Sequence, residues 1–411
     1  MTASEEQKRE MDMNRDDERG FTRRGFLASA ACTAALAGVG RTTGATEDLT
    51  ALSSFPDWAV KRIEDGLRRY RAWKGADLTV AFPLVTDLHS HGVGFEVPPK
   101  WGDSRSHVLF QRAIAREVGA DFLANLGDLD LDIDTNPGTA IPAKEQVEGV
   151  IDGFRKAYGG ETRPIVFALG NHDHAKKQFT SKQFGDAFNR GIGRLGEHGA
   201  VLSDCGSWGY LDFPEKQFRA VFLNSSDEGY VGYSKAQLQF LADTLAATPA
   251  GWHVAAMEHV SMPYEFARWR RFCEPLGAYR TGILETIVED FANRRGDLVE
   301  NFFTPPIKGS YKGIRWDFSQ SKAHFVGWFM GHSHTENHVA IAGVNYTIRP
   351  GYGTVPKDCL CGGQRDPKDQ RAFQRGSDMM IDLVAVKPAE RRVHVFRFGR
   401  GGDESELEYV Y

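Results

Sequence analysis

From residue 78 onward, apolar strand-like runs alternate with helical patterns along the chain. The runs LTVAFPLVTD (78–87), DFLANLGD (121–128) and RPIVFALGNHD (163–173) are separated by two segments with apolar residues at helical spacing, residues 106–119 and 143–159. Such β-α-β alternation predicts parallel strands that are joined by helical crossovers. The pattern therefore places the chain in the α/β fold class.

The alternation continues toward the C-terminus. Three further strand-like runs lie at residues 219–226, 252–259 and 324–334. A helix is predicted over residues 234–245, where the spacing of Ser234 and Gln237 is typical of a capping box. Near the end of the chain, the runs MMIDLVAV and RRVHVFRF flank a KPAE turn and predict an antiparallel hairpin at residues 378–398.

Polar side chains stand at the ends of these strand-like runs. They are Asp87 and His89, then Asp128, then Asn171, His172 and Asp173, then His259, and finally His332 and His334. Because the carboxyl ends of strands in open α/β sheets lie side by side, these clusters are expected to converge on one rim. Mixed oxygen and nitrogen ligands without a thiolate suit divalent ions such as Mn, Fe or Zn. The sequence therefore predicts a metal site at the strand ends.

The D-x-H, G-D, G-N-H-D, H and G-H-x-H blocks occur in this order and resemble those of the calcineurin-like metallophosphoesterase family, over roughly residues 78–350. The resemblance implies a four-layer α/β/β/α sandwich of two mixed sheets flanked by helices, with a dinuclear metal site at the carboxyl ends of the strands. It implies that Asp87, His89 and His334 bind the first metal, that Asn171, His259 and His332 bind the second, and that Asp128 bridges both.

The same resemblance implies an enzyme that hydrolyses small-molecule phosphate esters with two divalent metal ions. In that chemistry, a hydroxide that bridges the metals attacks phosphorus in line with the leaving group. His172 is expected to donate a proton or a hydrogen bond to the leaving oxygen. Asp173 is expected to orient the imidazole ring of His172.

Two alternatives stay open at this point. The substrate is a phosphomonoester, or it is a phosphodiester or a nucleotide. That first alternative concerns the substrate of an enzyme. The second is that the chain is not an enzyme but a non-catalytic metal-binding scaffold of the same fold, since fold does not settle function. The intact ligand blocks favour the enzyme, and Leu131 disfavours the purple acid phosphatases, which carry a tyrosine at that place.

Residues 261–282 mix aromatic side chains with Arg268, Arg270 and Arg271. One interpretation is a lid, in which the arginines bind phosphate oxygens and the aromatic rings contact an organic group. The other is a helix that packs its aromatic rings on the core and leaves its arginines in solvent. Both interpretations account for the composition of the segment.

The first 45 residues differ from the rest of the chain. Arg23 and Arg24 precede a mildly apolar stretch, Phe26–Val39, which is shorter than the roughly 20 apolar residues of a membrane-spanning helix. The pattern resembles a twin-arginine export signal over residues 1–45. It predicts recognition by the twin-arginine translocation machinery and a periplasmic or extracellular location, with no stable membrane span.

The remaining chain divides into two predicted parts. Residues 46–77 are predicted as a helical lead-in, and residues 78–411 as the catalytic domain, whose sandwich the C-terminal hairpin completes. The net charge is −5, and the chain has no lysine-rich or arginine-rich block. Nucleic-acid binding is therefore not expected.

Overall fold

Two mixed β-sheets lie face to face in the computed structural model of the chain. The structure describes residues 50–88, 106–129, 143–173, 179–227, 232–260, 282–300, 311–332, 336–349, 379–399 and 402–411. These residues belong to one compact unit, Asp48–Tyr411. The predicted export signal at residues 1–45 lies outside the described residues. None of the helices in the described part of the chain combines the length and the apolar character that crossing a bilayer requires.

In chain order, the helices are α1 (Asp57–Lys74), α2 (Ser106–Val118), α3 (Ala143–Ala157), α4 (Ser181–Phe184), which a π-helical segment continues over Gly185–Ile192, α5 (Lys235–Ala246) and α6 (Gly282–Asn293). The strands are β1 (Val80–Val85), β2 (Leu123–Asn125), β3 (Ile165–Phe167), β4 (Val201–Leu202), β5 (Gly209–Phe213), β6 (Phe218–Phe222), β7 (His253–Met257), β8 (Gly296–Leu298), β9 (Arg315–Asp317), β10 (His324–Met330), β11 (Asn337–Ile341), β12 (Val344–Ile348), β13 (Met380–Lys387), β14 (Arg392–Gly399) and β15 (Leu407–Val410).

The first sheet has six strands in the order β15-β14-β13-β1-β2-β3. Its strands β1, β2 and β3 are parallel, and the hairpin β13–β14 pairs antiparallel beside β1. The second sheet has seven strands in the order β11-β12-β10-β7-β6-β5-β4, of which β12, β10, β7 and β6 are parallel. The predicted β-α-β core and the predicted C-terminal hairpin are therefore both present.

Apolar side chains alternate between two faces along β1. Phe82 and Leu84 face the second sheet, whereas Ala81 and Val85 face the helices. Phe82 meets Phe329 of the second sheet edge to face, with ring centroids 5.7 Å apart. Helices α1, α2 and α3 cover the outer face of the first sheet, and α5 and α6 cover that of the second. This arrangement confirms the predicted four-layer sandwich of two mixed sheets flanked by helices.

Helix α1 packs on the outer face of the first sheet. Its buried residues Ile63, Leu67 and Tyr70 recur at helical spacing, as the lead-in pattern predicts. The ring of Tyr70 meets Phe396 of β14 at a centroid distance of 5.7 Å. The segment before β1 therefore shares its core with the C-terminal hairpin.

At one end of the layer between the sheets, charged side chains take the place of apolar ones. Asp382 of β13 is in register with Arg397 of β14 on one side and with Leu84 of β1 on the other. Arg349, directly after β12 of the opposite sheet, donates from Nε to Asp382 Oδ2 at 2.7 Å and from Nη2 to Oδ1 at 3.0 Å. Arg397 Nε donates to Asp382 Oδ1 at 2.7 Å. One buried carboxylate therefore ties the two sheets together close to the carboxyl end of β1.

Candidate metal site

The carboxyl ends of strands from both sheets meet at one rim. In the first sheet, the Asp87 N–H donates to the carbonyl of Gly127 at 2.9 Å, which joins the ends of β1 and β2. In the second sheet, the Gly331 N–H donates to the carbonyl of His259 at 3.1 Å. The His332 N–H donates to the Asp87 carboxylate, 3.1 and 3.0 Å from its two oxygens, and so connects the sheets. The convergence expected from the strand ends is present for these residues.

Three of the predicted ligands have a left-handed backbone. The φ angles are 52° at Asp87, 51° at Asp128 and 68° at His332. Residues other than glycine adopt the left-handed backbone conformation at a cost of about 1–3 kcal/mol, and those that do so concentrate at functional sites. The surrounding structure must therefore enforce the backbone conformation of these three residues in the turns after their strands.

Glycines permit the close approach of these turns. A Cβ at Gly170 would lie 2.2 Å from the backbone nitrogen of Asp128, and a Cβ at Gly127, whose φ is 94°, would lie 2.6 Å from the nitrogen of Gly170. A Cβ at Gly331 would lie 1.9 Å from Thr86 Oγ1 and 2.6 Å from Asp87 Oδ2. The glycines that precede Asp128, Asn171 and His332 are thus required by the packing of backbone against backbone or carboxylate.

Gly331→Ala is expected to destabilise the protein by about 1–3 kcal/mol, because the added methyl group must displace Thr86 or Asp87. Gly149→Ala is the matched control, since a Cβ at Gly149 in α3 meets nothing within 4 Å. Alanine there should be neutral or stabilising, by up to about 1 kcal/mol. Urea unfolding of both variants measures the difference. Equal midpoints for Gly331→Ala and the wild type would contradict the close packing.

His259 presents one ring nitrogen to the rim. Its Nδ1 lies 2.7 Å from the carbonyl oxygen of Leu126, which can only accept, so Nδ1 carries a proton. The opposite nitrogen, Nε2, lies 3.1 Å from Asp128 Oδ2 and 3.0 Å from Asn171 Oδ1. Burial alone would lower the pKa of His259, but the carboxylates of Asp128 and Asp87 outweigh it and raise the pKa to about 9. The nitrogen therefore faces an environment that favours positive charge.

The donor atoms at the rim fit a divalent cation. One ligand atom each from Asp128, His259 and His332 lies within 4.8 Å of the other two. His259 Nε2 is also 4.0 Å from Asp87 Oδ1. Both carboxylates are buried, and buried carboxylates are costly unless they are paired or bind a cation. Carboxylate, amide and imidazole ligands that converge in this way suit Mn, Fe or Zn.

Asp173 holds two of the strand-end turns together. Its Oδ1 accepts the Leu129 N–H at 2.8 Å, and its Oδ2 accepts the Gly170 N–H at 3.0 Å. Burial, and then the charge of Asp128, raise the pKa of Asp173 to about 7. The neighbouring His172 is half-buried, and its N–H donates to Asp128 Oδ1 at 3.0 Å. The proposed orientation of the His172 ring by Asp173 stays a prediction.

The structure brings together Asp87, Asp128, Asn171, His259 and His332, with His172 and Asp173 beside them. The other predicted site residues, His89, His334, Arg268, Arg270 and Arg271, lie outside the described residues. One contact was not predicted from the sequence. The hydroxyl of Thr86 donates to Asp87 Oδ2 at 2.7 Å, and only its position directly before Asp87 could have indicated it.

Comparisons with known proteins give matches among solved structures. No family model matches the chain, and no curated protein matches it. A dimetal phosphatase from Danio rerio is 13% identical, with 81% of this chain and 99% of that chain covered and a TM-score of 0.50. A purple acid phosphatase from yellow lupin seeds is also 13% identical, with 78% of this chain and 51% of that chain covered and a TM-score of 0.42. The match with the Danio rerio protein shows a common fold.

Proposed function

We propose that the chain is a metal-dependent phosphoric ester hydrolase with two divalent cations. The observation that carries the proposal is the convergence of Asp128, His259 and His332, whose ligand atoms lie within 4.8 Å of one another at the rim where both sheets end. The protein of the same fold from Danio rerio is a dimetal phosphatase, which supports the proposal. The order of the ligand blocks along the chain supports it independently.

The donor groups would be shared between two cations. His259 and His332 would hold one of them with Asn171, whose amide oxygen lies 3.0 Å from His259 Nε2. Asp87 would hold the other, together with His89 and His334, and Asp128 would contact both. When bound, the two cations lower the pKa of a water molecule and offset negative charge on the phosphoryl oxygens.

The protein's own residues would orient the carboxylate ligand Asp128 and protonate the leaving group. The N–H of His172 and the imidazole of His259 contact different oxygens of Asp128, so this carboxylate has a fixed orientation. The His172 imidazole would protonate the leaving oxygen of the ester, a role that typically contributes 10²–10⁴-fold to the rate. Asp173 would keep the turns after β2 and β3 in register through its two backbone contacts.

The test is a substrate panel on the full-length protein purified with Mn²⁺. Two equivalents of metal are expected by elemental analysis, with turnover of a chromogenic phosphate monoester or diester. His172→Ala should keep its metal content and lower kcat by about 10²-fold, because it removes a general acid but no ligand. Comparison of monoesters, diesters and nucleotides then identifies the substrate class.

Two outcomes would contradict the proposal. Full metal occupancy without turnover of any phosphate ester would instead support a non-catalytic scaffold. A native protein without bound metal, after supply of Mn²⁺, Fe²⁺ or Zn²⁺ during expression, would reject the metal site itself.

We also infer that the enzyme is exported, on the pattern of Arg23 and Arg24 before the apolar stretch Phe26–Val39. The twin-arginine route carries proteins that have already folded. Such a route suits this chain, because the proposed ligands come from distant strand ends and assemble only in the folded protein. The metals would then be bound before the protein leaves the cytosol.

A further inference from the structure

His332 lies in the segment between β10 and β11, of which the structure describes residues 331, 332 and 336. At its start, the carbonyl of Met330 accepts the backbone N–H of Arg349 at 2.9 Å. At its end, Glu336 Oε1 lies 2.5 Å from Arg397 Nη1 and 3.9 Å from Arg349 Nη2. Arg349 therefore contacts the chain on either side of His332, and Arg397 contacts it at Glu336.

The same two arginines meet at Asp382. Both guanidinium groups donate to its carboxylate, and all three side chains are almost fully buried. Burial alone would raise the pKa of Asp382, but Arg349 and Arg397 lower it to about 2. Asp382 balances one of the two positive charges, and Glu336 places a second carboxylate against Arg397.

Glu336 differs from the rest of the network in its exposure. Its side chain is 36% exposed, whereas those of Arg397 and Arg349 are 2% and 4% exposed. Such a carboxylate contributes little to stability as a simple surface ion pair. It instead joins the start of β11, close to the metal site, to buried arginines of both sheets.

We propose that Glu336 is a positioning residue, which, through Arg397 and Arg349, holds His332 in the geometry that binds the cation. This inference rests on the proposed function. Replacement of residues that orient metal ligands without binding the metal themselves typically changes metal affinity by 10–100-fold. The left-handed backbone at His332 strengthens the need for such support, because a strained conformation persists only when neighbouring contacts enforce it.

The experiment compares Mn²⁺ binding by isothermal titration calorimetry in full-length variants. Glu336→Gln should bind at least one Mn²⁺ about 10-fold more weakly than the wild type. Glu390→Gln is the matched control, since Glu390 is 38% exposed and pairs with Arg392 at the end of the first sheet that is remote from the metal site. The control should bind Mn²⁺ as the wild type does, and the two variants should have similar melting temperatures without metal.

Glu336→Asp separates position from charge, because aspartate keeps the charge but has a shorter reach. It should also bind Mn²⁺ more weakly. Wild-type affinity in Glu336→Asp would overturn the positioning role, and so would equal affinities in Glu336→Gln and Glu390→Gln. In both cases the wild type still binds metal, so the proposed function would stand. A wild type that binds no metal would overturn both.

Discussion

Asp128→Asn is expected to abolish binding of at least one metal ion and to lower kcat/KM by about 10³-fold or more. The carboxylate is buried, faces His259 Nε2 at 3.1 Å and is the predicted bridge between the cations. An asparagine has the same shape but no charge, so it cannot bridge two cations in the same way. Metal ions contribute several kcal/mol to such reactions, and each 1.4 kcal/mol is a factor of about ten.

Asp121→Asn is the control for this variant. Its side chain is only 10% exposed, accepts the Ala81 N–H and pairs with Lys216, and it lies at the opposite end of β1. Its replacement should lower stability but leave the metal stoichiometry unchanged. Elemental analysis and steady-state kinetics measure both variants. If Asp128→Asn kept two metals and turnover close to that of the wild type, Asp128 would not be a ligand.

The central strands and helices could be predicted because their side chains are buried on a regular period. The expected helix at residues 106–119 is observed at Ser106–Val118, and the strand expected at residues 78–87 is observed at Val80–Val85. The strand ends two residues early because Asp87 adopts a left-handed turn. Hydrophobic periodicity indicates the strand but gives no information on the backbone conformation that follows it.

Several outer elements could not be predicted. Strands β5, β11 and β15, which lie at or next to a sheet edge, are only partly buried, so the periodic apolar signal is weak in their sequences. The predicted capping box at α5 is half right. The Ser234 hydroxyl accepts the Gln237 N–H, but the Gln237 side chain bonds the backbone of Asn224 instead of returning to Ser234. Burial of Gln237 against the end of β6 overrides the local pattern.

The candidate site also contains contacts that could be predicted from the sequence and contacts that could not. Convergence of Asp87 and Asp128 follows from their places at the ends of neighbouring parallel strands, and the approach of His332, from the second sheet, was predicted from the ligand blocks at the strand ends. The ionic network around Asp382 was not predicted, because Asp382 meets Arg349 only where the two sheets pack together. A signal did exist in the sequence. Asp382 interrupts the apolar run MMIDLVAV, and a charged residue inside a strand that is buried on both faces needs a partner of opposite charge.

Asp382→Asn is expected to lower the free energy of unfolding by about 3–5 kcal/mol at pH 7, because it leaves two buried guanidinium groups without their shared carboxylate. Asp212→Asn is a matched control. Asp212 also binds one guanidinium through both oxygens, that of Arg219, but its side chain is 28% exposed. Loss of that more exposed carboxylate should cost less than loss of Asp382, because it leaves one guanidinium group without its partner instead of two and water reaches the position of Asp212. Urea unfolding at neutral pH measures both variants.

The pH dependence provides a second test of Asp382. A carboxyl group whose pKa is lowered in the folded state stabilises the protein above its ordinary pKa of 3.8, and this contribution is lost as the pH falls toward about 2. The stability difference between the wild type and Asp382→Asn should therefore be constant above about pH 5 and narrow by roughly 1 kcal/mol at pH 3. Unfolding curves at pH 7, 5 and 3 measure it. A difference that is the same at all three values would show that the arginines do not lower the pKa of Asp382.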